Sequence, residues 1–356
     1  MTIQWHSWPE DKALLRLELP DGITPFPVVT KPLSEEQIVI HTVRLQNLTP
    51  DTEYQFQLGD DVKKYRFRTA PIVLDKPLKF IVGGDVYMTR LPFYKMGQIA
   101  MKQDPLFAVL GGDLAYAVSN LSLFADKPPK QWRKFLGNWT KCMQTADGRL
   151  IPFLVVIGNH DINAKTRELV YALFDFPGKE LYRAIDFGAY LSLLLLDTGH
   201  VSSIEGAQTQ WLEKALEQRK NFSQLMAIYH LGAYPAFYSY NSRGPKMIRT
   251  HWSPLFDQYA VKACFEHHSH AFKKTFPIKG DQLDPTGTIY FGDGCWGVKP
   301  RKTHPAWYLE KASSENHVFI VEMTPQSASI SALGITGQLL DKTELQNRSV
   351  SQVTNN

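Results

Sequence analysis

The chain has 356 residues, 44% of them hydrophobic, enough to bury a large core and to build two domains. Its net charge of +4, with no arginine-rich tract, argues against a dedicated nucleic-acid binder. Three widely spaced cysteines, Cys142, Cys264 and Cys295, give neither a disulfide framework nor CxxC-type zinc chemistry, and read as buried, inert thiols.

The N-terminus, Met1-Thr2-Ile3-Gln4-Trp5, has neither the basic nor the apolar region of a leader. The expectation is therefore either a cytoplasmic protein or an exported one whose leader is absent here, and the sequence does not choose. Short alternating segments follow, at Leu14 to Leu19, Gln37 to Val43 and Glu53 to Leu58, separated by Pro, Gly and Asp. That alternation predicts an antiparallel β-sandwich over residues 1–71. The stretch Thr42 to Tyr54 resembles the corner of fibronectin-III-like modules, with the chain expected to begin partway into the first strand.

From Leu78 onward, over the expected second domain (72–356), apolar strands alternate with helices. Helices are predicted at Leu91 to Lys102, Lys130 to Gln144, Lys165 to Phe174, Gln208 to Arg219 and Lys246 to Tyr259. In the fourth, Trp211, Leu212, Ala215 and Leu216 form a core-facing stripe. Strands are predicted at Lys79 to Val82, Phe107 to Leu110, Phe153 to Ile157, Leu191 to Leu196 and Leu225 to Ile228. Further strands follow at Thr288 to Phe291, His317 to Met323 and Ser327 to Ala332, then a last short strand after Gly337 and a frayed polar tail beyond Asn347. No apolar run approaches the roughly 18 residues that span a bilayer.

Most of the candidate site fragments stand just past these strands: Gly84-Asp85, Gly112-Asp113-Leu114-Ala115-Tyr116, Gly158-Asn159-His160-Asp161, His230 and His267-His268-Ser269-His270. Residues at the carboxyl ends of successive strands converge on one edge of an α/β sheet. Asp, Asn, Tyr and His are hard-to-borderline ligands, suited to two adjacent divalent or trivalent ions. In His268-Ser269-His270 the i, i+2 spacing puts both rings on one side of an extended segment.

In this order the fragments resemble the calcineurin-like metallophosphoesterases, and Gly-Asp-x-x-Tyr points to the purple acid phosphatase branch. Phe67-Arg68-Thr69-Ala70-Pro71 resembles the exit strand that joins a fibronectin-III-like module to such enzymes. The resemblance implies an α/β catalytic domain of two sheets flanked by helices after that module. It implies Asp113 as a carboxylate bridging two metals, Asp85, Tyr116 and His270 on the first, and Asn159, His230 and His268 on the second. A phenolate ligand favours Fe(III) at the first position, with Zn, Mn or Fe as the divalent partner. His160 would face the substrate phosphate, with Asp161 orienting its ring. The implied activity is hydrolysis of phosphate monoesters of small molecules by a metal-activated hydroxide. A phosphodiesterase acting on nucleotides or lipid head groups, and a binding protein that keeps a metal site, are the alternatives.

Three departures bear on the pocket. Tyr87 stands where phosphatase relatives usually carry Gly, and is expected to crowd the first metal or add a phenol beside it. His267 replaces the Gly of Gly-His-x-His, and is expected to narrow the site or donate a proton. Asp161 replaces a Glu. The aromatic run Tyr234 to Arg243 is open between lining the pocket mouth and packing as core or lid. His6, His41, His200, His251, His304 and His317 are treated as structural or surface residues, and the oligomeric state is left open.

Overall fold

The computed structural model describes residues 1–33, 38–118, 127–176 and 178–347. Gln37, at the predicted start of one strand, and the tail expected to fray beyond Asn347 lie outside the described residues.

Among the described residues, two large sheets form the body. One runs, in spatial order, 153–156, 107–111, 78–83, 317–323, 327–334 and 339–346. Its first three strands are parallel, and 317–323 joins them antiparallel through Phe319 opposite Val82. The other runs 183–187, 191–195, 224–231, 263–267, 289–292, 272–275 and 309–313, parallel from 191–195 through 289–292.

The twofold period of a strand sends alternate residues to opposite faces. In 78–83, Phe80 and Val82 face the second sheet, where Leu193, Leu195, Met226, Ile228 and Phe265 meet them in one dry cluster. Ile81, Ala108 and Leu110 turn the other way, onto helices α1 (Arg90–Met101), α2 (Pro128–Cys142) and α3 (Arg167–Phe174) through Phe93, Met96, Trp132, Phe135 and Val170. The outer face of the second sheet, with Leu194, Ala227 and Tyr229, is covered by α4 (Thr209–Gln218), α5 (Arg243–His251) and α6 (Ser253–Gln258). Strands buried on both faces read as continuous apolar runs, which is why Leu191 to Leu196 shows no alternation. The result is an α/β body of two stacked sheets with helices outside each. No described helix is long and apolar enough to cross a membrane.

The expected helix from Lys246 to Tyr259 is two helices. Pro254 lies in the first turn of α6, where its missing N–H costs nothing, but its ring cannot continue a helix arriving from α5. The last strand, 339–346, is longer than the short one expected because it pairs with residues 327–333.

Before the body, strands 2–7, 38–44 and 29–33 form one small sheet and 22–26, 15–19, 53–58 and 65–68 another. They share a core of Leu15, Leu17, Val43, Leu45, Tyr54, Phe56 and Phe67. Ile38 and Ile40 point the other way and join the cluster beneath α1 and α2.

Candidate metal centre

Each candidate fragment lies at the end of a strand or just past it, at the same edge. The register pairs Gly83 with Leu110 and Gly111 with Val156, so the turns at 84–85, 112–113 and 158–159 stand side by side. Across from them, the pairing of 224–231 with 263–267 slips between Ile228 and Leu231. A bulge re-aims the side chains it carries, and His230 sits in this one. Asp85, Asp113, Tyr116, His268 and His270 all have left-handed backbones, with φ of 55°, 50°, 54°, 74° and 58°. Non-glycine residues there are strained, and such strain concentrates where geometry serves a site. Gly112, at φ 96°, lets the chain pass close to His230, whose Nδ1 would lie 2.5 Å from a Cβ at that position.

The donors converge as two groups. Asp113, His230 and His268 present ligand atoms within 4.8 Å of one another, and so do Asp85, Asp113 and His270. Asp113 is common to both. The Tyr116 hydroxyl donates to Asp85 Oδ1 at 3.1 Å and lies 3.2 Å from His270 Nε2. Asn159 Oδ1 is 3.1 Å from His230 Nε2. Backbone N–H groups fix the two carboxylates: that of His268 donates to Asp85 Oδ2 at 2.9 Å, and that of His160 to Asp113 Oδ1 at 2.8 Å.

The remaining valences fit cations. Asp113 Oδ2 is sealed from solvent and accepts no hydrogen bond, and the buried His268 Nδ1 has no partner either. His230 Nδ1 is 2.9 Å from the Gly111 carbonyl, an acceptor, so it carries a proton, and Nε2 faces Asp113 Oδ2 at 3.5 Å and Asn159 Oδ1 at 3.1 Å. With Nε2 unprotonated, its lone pair and these oxygens repel one another unless a positive charge lies among them. A proton can supply that charge: burial disfavours it, but the Asp113 carboxylate outweighs burial and holds His230 at about 9. Burial would likewise raise Asp113, and His230 and His160 hold it below the ordinary carboxylate range. For Tyr116, burial and then Asp85 and Asp113 push the phenol well above its usual value.

Three other expectations change. Asp161 does not meet the His160 ring: its two oxygens accept backbone N–H groups of Leu114, Ala115 and Gly158 at 2.8, 3.2 and 3.0 Å. Fully buried, it ties the 112–116 turn to the 158–161 turn. Burial and the Asp113 charge push it up to about 7, while those N–H donors pull it back. Tyr87 neither crowds the donors nor adds a phenol among them. Its ring stands edge-on to Phe93, and its hydroxyl accepts from Asn138 of α2 at 2.8 Å. His267 neither narrows the pocket nor stands ready to donate a proton. It is 1% exposed and wedged beneath the turns, where only glycine leaves it room: a Cβ at Gly84 or Gly111 would lie 2.5 or 1.8 Å from the ring.

His160 is half-buried, its ring stacked on Tyr116 with centroids 5.0 Å apart. Tyr238, from the aromatic run, stacks on His268 at 4.7 Å and 17°, whereas Tyr234 is fully buried. The run is thus pocket wall at one point and core at another. The thiols are free, but Cys142 is only partly buried.

Several neighbours of the centre belong to none of the sequence motifs. His200 lies with its ring 5.6 Å from that of His230. It too follows an apolar strand, Leu191 to Leu196, and that position was the available clue. Arg301 donates from its backbone to the His270 carbonyl at 2.8 Å and from its guanidinium to the Tyr238 hydroxyl at 2.6 Å. Behind the centre, Lys273, Glu266 and Asp293 form a fully buried charge cluster. Glu266 accepts from Tyr229 and from the Ala233 N–H, and Asp293 from the Ala236 N–H, so the cluster anchors the loop that follows His230. Glu266 inside the apolar strand Ala263–His267 was the visible hint.

No protein-family profile matches the chain. It is 26% identical over 290 residues to purple acid phosphatase 15 of Arabidopsis thaliana, covering 72% of this chain and 53% of that protein. It is also 26% identical to purple acid phosphatase 21 of the same plant, covering 72% and 58%. The chain therefore spans rather more than half the length of these curated relatives. Its structure superposes on purple acid phosphatase PPD1 from yellow lupin seeds with a TM-score of 0.82, covering 97% of this chain and 72% of that one at 16% identity. The chain has the calcineurin-like metallophosphoesterase fold, and within it resembles the purple acid phosphatases in sequence.

Proposed function

We propose that this chain is a binuclear metal-dependent phosphohydrolase that cleaves phosphate monoesters of small molecules. The observation that carries the reading is Asp113, a buried carboxylate common to two donor groups, with one oxygen that has no hydrogen-bond partner. The names of the similar plant proteins support the same class of reaction.

In this reading Asp85, Tyr116 and His270 would hold one cation, Asn159, His230 and His268 the other, and Asp113 would be shared between them. A phenol whose proton is held so firmly becomes a ligand only to a strong Lewis acid, which favours Fe(III) beside Tyr116 and Zn, Mn or Fe at the second position. Such a pair, when bound, supplies a nucleophilic water of lowered pKa and a positive clamp on the phosphoryl oxygens. The chain's own contribution is positional and acid–base. The His160 imidazole, seated on Tyr116 with its backbone N–H on Asp113, steadies phosphoryl charge or gives a proton to the leaving oxygen. Asp161 keeps the two turns in register. Residues 1–71 are assigned to a fibronectin-III-like sandwich and 72–356 to the catalytic domain, a division supported by the separate core around Leu15, Tyr54 and Phe67.

Metal analysis of the purified chain, with its ultraviolet–visible spectrum and a panel of phosphoesters, tests the reading. The expected result is two equivalents of metal, a visible charge-transfer band and faster turnover of a monoester than of the matching aryl diester. Diester turnover well above monoester would make it a phosphodiesterase. Two bound metals with no turnover would leave a binding protein.

A further inference from the structure

Beside the candidate centre lies a cleft of about 420 Å³, a size suited to a small organic group. Phe237, Tyr238, Tyr240, His304, Trp307 and Tyr308 line it. The walls are fastened from behind. The Tyr308 hydroxyl donates to the Pro235 carbonyl at 2.7 Å, and the His304 N–H to the Ala236 carbonyl at 3.1 Å. The Tyr240 hydroxyl donates to Asp281, and the Arg249 guanidinium lies 3.5 Å from the centre of the Tyr240 ring. With the hydroxyls of Tyr238, Tyr240 and Tyr308 all engaged, the surface these residues offer to the cleft is largely ring carbon. Yet Trp307 is 45% exposed and Tyr238 36% exposed. Rings held this firmly and left half in water keep a binding surface ready without the entropic cost of ordering it.

The cleft and the centre share a wall. Tyr238 lines the cleft and stacks on His268. Arg301 joins the two, donating to the Tyr238 hydroxyl and, at 3.5 Å, to the His268 carbonyl, with its guanidinium carbon 5.0 Å from the Phe237 ring centre. Tyr238 thus stands between the donors and the cleft, within reach of the ester substituent of a phosphate held by them. A flat ring meets π-faces there, and the Arg301 cation reinforces the stack.

We propose that this cleft is a leaving-group subsite, and that the phosphoesters this chain prefers carry a planar aromatic ring on the ester oxygen side. The proposal rests on the phosphohydrolase reading for its phosphate end, so its test separates the two.

The test compares 2-phenylethyl phosphate with n-butyl phosphate, two alkyl esters of similar leaving ability that differ in the ring. Alongside turnover, calorimetry compares 2-phenylethylphosphonate with n-butylphosphonate, which are not hydrolysed, on the full chain with and without added metal. The ring compound is expected to win about tenfold in kcat/KM and in affinity. Trp307→Ala, or Phe237→Leu as a second variant, should shrink both ratios several-fold toward one. Adenosine 5′-monophosphate against ribose 5-phosphate then tells whether a nucleobase or a simple aryl group is the ring. Equal affinities for the two phosphonates, a ring advantage that survives both variants, or no binding of either compound overturns the subsite. If the ring phosphonate keeps its advantage while metal-loaded protein hydrolyses no ester, the subsite stands and the phosphohydrolase reading fails.

Discussion

Asp113 concentrates the chemistry of the centre in one side chain. Its Oδ1 is held by the His160 N–H, its Oδ2 has no hydrogen-bond partner, and both donor groups include it. Asp113→Asn keeps the shape and removes the charge shared between two cations, so the variant is expected to lose bound metal and nearly all turnover. Two retained equivalents with near-normal rates would sink the assignment. Tyr116→Phe deletes the phenol between Asp85 and His270 and should abolish any visible band while far-ultraviolet dichroism stays unchanged. If iron-loaded wild-type protein is colourless, a zinc or manganese enzyme of the wider superfamily is the better assignment. His160→Ala removes an imidazole beside the donors and outside them. Metal content should hold while turnover falls by the roughly 10²–10⁴-fold typical of general acid catalysis. The loss should be small for 4-nitrophenyl phosphate, whose leaving group needs little protonation, and large for an alkyl phosphate. Equal loss on both would make His160 a charge clamp, and loss of metal would make it a ligand.

Among elements, the strands and the turns after them were legible, because a strand buried on both faces is a plain apolar run and a turn residue must follow it. What the turns do with their side chains was not. Tyr87 and His267 differ from the pattern beside expected ligands, and sequence adjacency placed them in the pocket. The backbone instead sends Tyr87 to Asn138 on α2 and His267 beneath Gly84 and Gly111. Asp161 reads as a partner for the adjacent imidazole, yet three N–H groups from two turns were nearer. Such contacts join residues far apart in the chain, and one-dimensional spacing does not carry them. The same holds for Lys273, on strand 272–275, whose single charge is shared between Glu266 and Asp293 out of reach of water. Removing one member of a buried ion cluster leaves charge without compensation, so Lys273→Met should cost about 3–5 kcal/mol in urea unfolding. Adding Glu266→Gln to that variant should recover part of the loss, because one of the stranded charges goes with it. A single variant as stable as wild type would mean the cluster is relaxed by water or by proton uptake.

At the scale of the whole molecule, the N-terminal sheets are joined to the body through side chains that serve neither site nor cleft. Gln4 donates to the Ala172 carbonyl of α3 at 3.1 Å, and Arg44 forms a forked pair with Asp175, which ends that helix. Ile38 and Ile40 enter the cluster that also holds Phe93, Trp132 and Val170. None of the candidate donors comes from residues 1–71, so this region is expected to stabilise and position rather than catalyse. Two substitutions on adjacent strands separate those roles. Lys31 is exposed, and Lys31→Ala should leave stability within about 0.5 kcal/mol and turnover unchanged. Ile40 is 1% exposed, and Ile40→Ala should cost about 2–5 kcal/mol through lost burial and the cavity left behind. Because the cavity opens in a cluster shared with α1, α2 and α3, heating that variant should abolish turnover and melt the N-terminal strands together, below the wild-type temperature. Turnover that outlasts the melting of those strands would instead show that the sandwich folds on its own core alone and that the shared contacts carry little. A strong fall in turnover from Lys31→Ala at unchanged stability would place a functional surface on the sandwich itself.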